Sequence, residues 1–498
     1  MSQLKSLAGQ TAIYGVSSIL GRILNYALVP LHTTVFSEQE LGEVSYLYTF
    51  VALLLVTYTF GMETTLFRFT SRDKSIKYYH YAGTFVFVLS AIITSIIWIN
   101  SSAIAHWIQY PHLDYIIRWL AIILFIDAVT AIPFAKLRLE NKAKLFAAAK
   151  MTSIILTVGL QLLFLIVFPN IIKGEYLGFL QSTIADVFSN DLGIGYIFLA
   201  NLIGNSFLIL LLWKPISQFR FAFEKATFKK MLVYASPIFL TGLAGIASER
   251  IDHVILRDWL PVDFYDQLNS TEALGIYAQT VKLSIFMLLA IQAFRYAGEP
   301  FFFSQAEKKD SPELFAKVMH YFVLLSLVIF VGISVNIDLL AQIFLRNPAY
   351  RVALYLVPFL LFGKLLWGVY INLSIWFKLT DKTIYGTYFS IIGAVITILV
   401  NLILIPFIGY QGSPIAMILG YGSMCVICLY YGKKHFPIPY NFMPLFIHVI
   451  VAATIVFTAY QINIDNKILM HLINFGIVAG YIGALYFLEK KNLQAKNF

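Results

Sequence analysis

Apolar residues along this chain are gathered into long uninterrupted runs. Runs such as 152–168 and 387–405 have a length suited to a helix that crosses the roughly 30 Å hydrocarbon core of a bilayer. They lack the apolar-polar alternation that marks the strands of a membrane β-barrel. The pattern therefore predicts an all-α integral membrane protein.

About fourteen transmembrane helices are predicted from these runs. We expect them near 10–31, 42–66, 81–105, 115–135, 146–168, 193–213, 231–257, 274–301, 317–345, 353–376, 384–406, 412–431, 443–461 and 467–488. The first run lacks the small-residue cleavage site of a secretory signal, so it is interpreted as the first membrane helix. No predicted loop is long enough for a soluble domain, and function is expected to come from the helices.

Composition and charge support the same class and orient the chain. Of 498 residues, 59% are hydrophobic and 12% charged, and the net charge is +10. When alternate loops are pooled, one pool contains 25 lysines and arginines and the other contains 6. Cytoplasmic loops carry such an excess, so both termini are predicted to be cytoplasmic. The positive charge reflects topology, and no nucleic-acid partner is expected.

A weak internal repeat suggests how the helices are organised. Arg22 is followed by Leu41-Gly42, and Arg250 is followed by Leu274-Gly275, with offsets of 228 and 233 residues. Two six-helix bundles in the same orientation are typical of transporters with a cavity between the halves. The predicted domains are an N-terminal bundle at 1–215, a C-terminal bundle at 216–435, and two additional helices with a cytoplasmic tail at 436–498.

Basic residues inside the apolar runs are candidates for an anion site. A charge near mid-bilayer is costly and usually faces a wet cavity or a partner. Arg22, Arg250, Lys282 and Lys364 are predicted to bind a phosphate or diphosphate, because guanidinium groups match phosphate oxygens and lysine adds a point charge. The alternative for each is a structural ion pair with an acid on a neighbouring helix.

The remaining intramembrane charges are interpreted as either ion-coupling groups or members of structural pairs. They are Asp127, Glu249, Asp252, Arg295 and Glu299. Arg295 and Glu299 lie four apart on one helical face, which favours pairing. No cofactor is predicted, although H⁺ or Na⁺ is a candidate coupling ion. Cys425 and Cys428 spell C-x-x-C but lack further ligands nearby, so they are interpreted as packing residues and no metal site is predicted.

Several segments resemble a known family. They are 17–24, 282–286, the run Arg295-Tyr296-Ala297-Gly298-Glu299-Pro300-Phe301-Phe302-Phe303, and 401–412. Together they are similar to the polysaccharide and lipopolysaccharide biosynthesis flippases, the Wzx-type branch of the multidrug/oligosaccharidyl-lipid/polysaccharide (MOP) exporter superfamily. The similarity extends over nearly the whole chain.

The resemblance implies a MATE-like fold and a non-enzymatic activity. A polyprenyl-diphosphate-linked oligosaccharide would be flipped by alternating access across a bacterial inner membrane, for O-antigen or other cell-surface polysaccharide. It implies membrane lipids and polysaccharide polymerase or ligase machinery as partners, and it maps the family's cationic cavity onto Arg22 and Arg250. Relatives often read D-R in the seventh helix, whereas this chain reads Glu249-Arg250-Ile251-Asp252. The added Asp252 changes the net charge expected at that site.

Two other functions remain open at this point. A cation-coupled multidrug antiporter of the same fold would carry an acidic cavity, in contrast to the basic one expected here. A membrane glycan polymerase or ligase would need a sizeable outward loop with catalytic residues, which the chain does not provide.

Overall fold

The computed structural model describes residues 15–73, 75–305, 310–462 and 464–495. Their regular structure is helical, apart from an isolated bridge between Tyr265 and Leu268. The chain divides into two compact units, Met1–Arg250 and Ile251–Phe498. The predicted all-α class is confirmed.

The first unit contains the helices up to the long helix that leads into the second. They are α1 (15–26), α2 (Val29–Val35), α3 (Glu38–Thr59), α4 (Met62–Asp73), α5 (Lys77–Ile99), α6 (Ser101–Trp107), α7 (Asp114–Leu139), α8 (Ala143–Leu162), α9 (Phe168–Ile172), α10 (Gln181–Val187), α11 (Gly195–Leu211), α12 (Trp213–Ser217) and α13 (Lys225–Trp259). Helix α7 packs against α3, α5, α8 and α11 and is the most buried span of this unit.

The second unit begins within α13 and contains ten further helices. They are α14 (Ser270–Lys282), α15 (Ile285–Gln305), α16 (Ser311–Val335), α17 (Ile337–Phe344), α18 (Val357–Leu373), α19 (Ile375–Leu379), α20 (Ile384–Ile408), α21 (Gly412–His435), α22 (Phe442–Gln461) and α23 (Lys467–Ala495). Helix α18 packs against α14, α15, α16 and α21, as α7 does against its neighbours in the first unit.

The two units start their second membrane helix in the same way. A capping box opens α3, in which Ser37 and Glu40 satisfy each other's backbone N–H groups, and Asn269 and Glu272 do the same at α14. Such a box supplies hydrogen-bond partners that the first turn of a helix lacks. The agreement supports the predicted repeat.

An asparagine ends the third membrane helix of each unit. Asn100 follows α5 and Asn336 follows α16, and each side chain donates back to the carbonyl four residues earlier, Ile96 O at 2.8 Å and Gly332 O at 2.9 Å. A short helix and a proline-initiated 3-10 turn follow in both units. The predicted helices 81–105 and 317–345 are therefore each split in two.

A threonine packs against a glycine between α8 and α11 of the first unit and between α20 and α21 of the second. In the first unit, a methyl group added at Gly204 of α11 would overlap with Thr157 of α8. In the second, a methyl group added at Gly420 of α21 would overlap with Thr397 of α20. Small residues let membrane helices approach closely, and both pairs use this device at corresponding positions.

The predicted helix 42–66 also changes direction part-way. Phe60 and Gly61 have φ angles of 48° and 69°, in the left-handed region that glycine tolerates best, and they separate α3 from α4. The ring of Phe60 stacks on Phe239 of α13 at 4.6 Å between centroids. The break is thus held by packing within the first unit.

The two C-terminal helices pack on the rest of the second unit through α16. Asn474 of α23 donates to Val335 O at 2.9 Å, and His320 lies 3.0 Å from Glu489 Oε2 near the other end of the same helices. His448 of α22 lies 3.9 Å from the second oxygen of Glu489. Polar contacts therefore attach α22 and α23 to α16.

Ten stretches of the described residues are long and apolar enough to cross a membrane, or eleven if the bent pair α14 and α15 counts as one span. One stretch, Ile384–His435, contains both α20 and α21, and α11 is shorter at 17 residues. The predicted helix 10–31 lies partly outside the described residues. The multi-pass membrane class is confirmed, and the count of fourteen stays a prediction.

Candidate functional site

Asp127 lies on α7 within a polar cluster of the first unit. Asn205 of α11 donates from Nδ2 to its Oδ1 at 2.9 Å. One turn earlier on α11, the Asn201 amide donates to the hydroxyl of Tyr48 on α3. Lys150 of α8 is near enough to interact with Asp127 electrostatically. The cluster therefore brings together side chains from α3, α7, α8 and α11. Such hydrogen bonds are stronger in a low local dielectric than in water.

Lys364 occupies a comparable place in the second unit. Its side chain belongs to α18 and is 5% exposed. Asp127 and Lys364 each lie 16 residues after the proline that opens the preceding 3-10 turn, Pro111 and Pro348. The central helix of each unit thus carries an ionisable group at a corresponding position, which is acidic in the first unit and basic in the second.

Asp252 is buried and hydrogen-bonded to α14. Its residue is 6% exposed, and the Tyr277 hydroxyl donates to Oδ2 at 2.6 Å. The backbone N–H of His253 donates to Oδ1 at 3.0 Å. Tyr277 lies two residues after the Leu274-Gly275 pair that suggested the repeat. Both oxygens of Asp252 are therefore engaged inside the second unit.

The two arginines of the predicted repeat are both exposed. Arg22 lies on α1, and Arg250 lies on α13 beside a half-buried Glu249. Because successive residues of a helix point in different directions, the exposed guanidinium of Arg250 and the buried carboxylate of Asp252 occupy different faces of α13. The acid that follows Arg250 does not share its surroundings.

The other predicted site residues lie on α14 and α15. Lys282 is half-buried at the end of α14. Arg295 is exposed, and its guanidinium carbon lies 6.0 Å from the ring centroid of Tyr296. The side chain of Glu299 lies outside the described residues, so its predicted pairing with Arg295 stays a prediction.

A further carboxylate that the sequence analysis did not single out is buried at the start of α3. Glu43 is 4% exposed, and its Oε2 lies 3.6 Å from Nε2 of His112. Gln39 donates to Oε1 of Glu43 at 3.4 Å. Glu43 lies in the first turns of α3, where an acidic group is favoured by the helix dipole.

Both cysteines are buried in helix contacts. Cys425 lies 3.2 Å from the carbonyl oxygen of Leu366, and Trp376 donates from Nε1 to the carbonyl oxygen of Cys428 at 3.1 Å. In the described parts of the chain, no three His, Cys, Asp or Glu side chains are grouped so as to hold a metal ion. The environment of the two thiols is that of packing residues.

The family follows from a comparison with known sequences. The sequence model of a family described as "Polysaccharide biosynthesis protein" matches residues 35–348, more than half of the chain. The chain belongs to this polysaccharide biosynthesis protein family. Curated protein sequences give no match.

Solved structures give the fold of this family member. A "Lipid II flippase MurJ" in an inward closed conformation superposes with a TM-score of 0.71 at 13% identity, over 95% of this chain and 99% of that one. A multidrug resistance MATE family transporter of the MOP superfamily matches in its inward-facing conformation with a TM-score of 0.61 at 14% identity, over 83% and 94%. Its outward-facing conformation gives 0.58 at 15% identity, over 86% and 95%. The protein therefore has the MOP superfamily fold.

Proposed function

We propose that the protein is a flippase that moves a polyprenyl-diphosphate-linked oligosaccharide from the cytoplasmic to the outer leaflet of a bacterial inner membrane, for O-antigen or related cell-surface polysaccharide. The observation that carries this proposal is the family match over residues 35–348. The fold shared with a lipid II flippase supports it. Translocation needs alternating access and no covalent chemistry.

The intramembrane charges support an anionic cargo. Arg22 and Arg250 are exposed and lie within apolar helices, where a charged side chain is rare and is often part of a substrate or ion pathway. Asp252, two residues after Arg250, is buried and hydrogen-bonded to Tyr277. In this proposal the two arginines bind the diphosphate, and Lys282 and Lys364 add positive charge.

Asp127 is the proposed site of coupling to H⁺ or Na⁺. Its carboxylate accepts a hydrogen bond from the Asn205 amide, in a cluster that also contains the Tyr48 hydroxyl, and the ammonium of Lys150 lies within electrostatic range. In this proposal Asp127 binds and releases the coupling ion during the transport cycle.

The test measures movement of a fluorescent lipid-linked oligosaccharide in proteoliposomes, as accessibility to a membrane-impermeant quencher. Wild type is compared with Arg22→Ala and Arg250→Ala, and with Arg220→Ala as a control on an exposed residue outside the spans. We expect wild type and Arg220→Ala to move the glycolipid at similar rates. Arg22→Ala and Arg250→Ala should each move it at least tenfold more slowly.

Two results would contradict this function. Unchanged movement in Arg22→Ala and Arg250→Ala would reject their assignment as diphosphate ligands. If the folded wild-type protein does not move the glycolipid but exports cationic dyes, the result would favour the second candidate, a cation-coupled multidrug antiporter. The fold shared with a MATE transporter also allows this function.

A further inference from the structure

A cavity of about 530 Å³ lies in the second unit, between the C-terminal helix pair and the helices that it covers. The walls come from the end of α16, from α17, from the end of α22 and from the start of α23. All of these ends lie near the same membrane surface, which is the outer one in the predicted topology. A cavity of this size is within the range that holds small ligands.

Charges of both signs line this cavity. Asp338 of α17 supplies a carboxylate, whereas Lys467 at the start of α23 and Arg351 supply positive charge. Nε of Arg351 donates to Leu345 O at 2.7 Å and Nη2 to Arg346 O at 2.8 Å. These two bonds fix the guanidinium plane at the cavity, and its other N–H groups remain able to bind a ligand.

Two buried polar atoms of the lining lack a hydrogen-bond partner among the described residues. They are Oγ of Ser334 and Nδ1 of His471. A buried polar atom without a partner costs about 1–3 kcal/mol, so such atoms usually face water or a ligand. Both atoms belong to residues of the wall, which therefore contains uncharged polar side chains beside its charged ones.

An apolar surface adjoins the cavity on the membrane side. Phe457 of α22 and Ile468 and Leu472 of α23 are 66%, 74% and 62% exposed, and Val456, Ile462 and Met470 belong to the cavity wall. Acyl chains pack on such a surface, while headgroups occupy the level at which the helices end. A ligand with a polar head and apolar tails fits both regions.

We propose that this cavity binds the headgroup of a zwitterionic phospholipid that carries a primary amine, with its phosphate at Lys467 and Arg351 and its ammonium at Asp338. Charge-assisted hydrogen bonds to the phosphate provide affinity. The carboxylate distinguishes a primary ammonium, which donates three hydrogen bonds, from headgroups that lack one. This lipid site goes beyond the proposed flipping of glycolipid and does not depend on it.

The experiment is native mass spectrometry of the delipidated full-length protein after addition of defined lipids. We expect phosphatidylethanolamine to be retained in preference to phosphatidylglycerol and phosphatidylcholine. Lys467→Gln is expected to lower the retention of phosphatidylethanolamine about tenfold, which corresponds to about 1.4 kcal/mol. Asp338→Asn is expected to remove the preference over phosphatidylglycerol.

Two variants separate lipid binding from misfolding and general charge effects. Lys467→Arg keeps the positive charge and is expected to retain the lipid. Asp465→Asn makes the same chemical change as Asp338→Asn in a nearby exposed residue that does not line the cavity, and retention should not change.

Free phosphate is the competing source of the same chemistry. Inorganic phosphate and glycerophosphoethanolamine are therefore added at millimolar concentration to the lipid-bound protein. If the lipid stays bound in the presence of inorganic phosphate and of glycerophosphoethanolamine, binding requires the acyl chains. This result would support the proposal. Displacement of the lipid by phosphate alone, or equal retention by wild type, Lys467→Gln and Asp338→Asn, would overturn it.

Discussion

Two intramembrane carboxylates are stabilised by neutral donors on neighbouring helices. Asp127 accepts from the Asn205 amide at 2.9 Å, and Asp252 accepts from the Tyr277 hydroxyl at 2.6 Å. An amide or hydroxyl lowers the cost of burying the carboxylate without cancelling its charge. Each acid therefore depends on a donor from another helix for its hydrogen bonding.

Removal of the Tyr277 hydroxyl is expected to destabilise the second unit. Tyr277→Phe keeps the buried ring but leaves Oδ2 of Asp252 without its donor, at a cost of about 1–3 kcal/mol in the free energy of unfolding. Thermal denaturation in detergent measures the effect. Tyr388→Phe, on a residue that is 55% exposed, is the control and should behave as wild type. Equal melting temperatures for the two variants would show that the hydrogen bond contributes little.

Neutralisation of Asp127 is expected to uncouple transport from its ion gradient. Asp127→Asn preserves size and hydrogen bonding to α11 but binds neither a proton nor Na⁺ as a carboxylate does. The initial rate of glycolipid movement is compared with and without an imposed H⁺ or Na⁺ gradient. Acceleration by the gradient should disappear in the variant.

The matched control for this measurement is Asp186→Asn, on an exposed residue of α10. Its response to the gradient should equal that of wild type. If Asp127→Asn keeps the full response as well, the coupling group lies elsewhere in the protein.

Helix pairs within each unit depend on close approach at a glycine. Gly204→Ala and Gly420→Ala would each place a methyl group against a β-branched threonine and near a backbone carbonyl at 3.2 Å. Overpacking of this kind costs about 1–3 kcal/mol. We expect lower melting temperatures and lower yields of folded protein for both variants, as measured by fluorescence size-exclusion chromatography after heating.

Gly159→Ala is the control for this pair of helices. Gly159 lies on α8, two residues after Thr157, and among the described residues no atom outside the adjoining backbone of α8 lies within 4 Å of the added methyl group. Alanine also has the higher helix propensity, so stability should be unchanged or slightly raised. A loss of stability equal to that of Gly204→Ala would mean that the contact with Thr157 is not the cause.

Apolar runs predicted where helices lie but not where they change direction. The predicted helix 42–66 is divided at Phe60-Gly61, and the helices 81–105 and 317–345 are divided at Asn100 and Asn336. A hydropathy window averages over a break, because the residues on both sides of it are apolar. The hydrogen bond from each asparagine to the carbonyl four residues earlier depends on local geometry that composition does not contain.

At the candidate site, the sequence identified charges but not their partners. Asp127 and Asp252 were recognisable because a charge within an apolar run is rare. Their partners Asn205 and Tyr277 are neutral and lie 78 and 25 residues away, so only the packing of helices brings them together. One available signal was the pair Asn201 and Asn205, four apart in the otherwise apolar α11.

For the molecule as a whole, the predicted orientation is open to direct measurement. After replacement of Cys425 and Cys428 by alanine, single cysteines are introduced at Val262, which is 90% exposed between α13 and α14, and at Lys382, between α19 and α20. An impermeant maleimide should label Val262→Cys in intact spheroplasts and Lys382→Cys only after lysis. The reverse pattern would invert the topology and place both termini outside.

The asparagine breaks and the threonine-glycine contacts occur twice, at matching places in two units whose sequences otherwise differ. One origin followed by tandem gene duplication accounts for both copies more simply than two separate origins. The ancestral half-length protein would then already have contained the broken third helix and the tight final helix pair. Because a unit with an even number of membrane helices returns to the side on which it began, a second copy joined to its end inserts in the same orientation. A duplication of this kind yields a working topology at once, without any later change in loop charge.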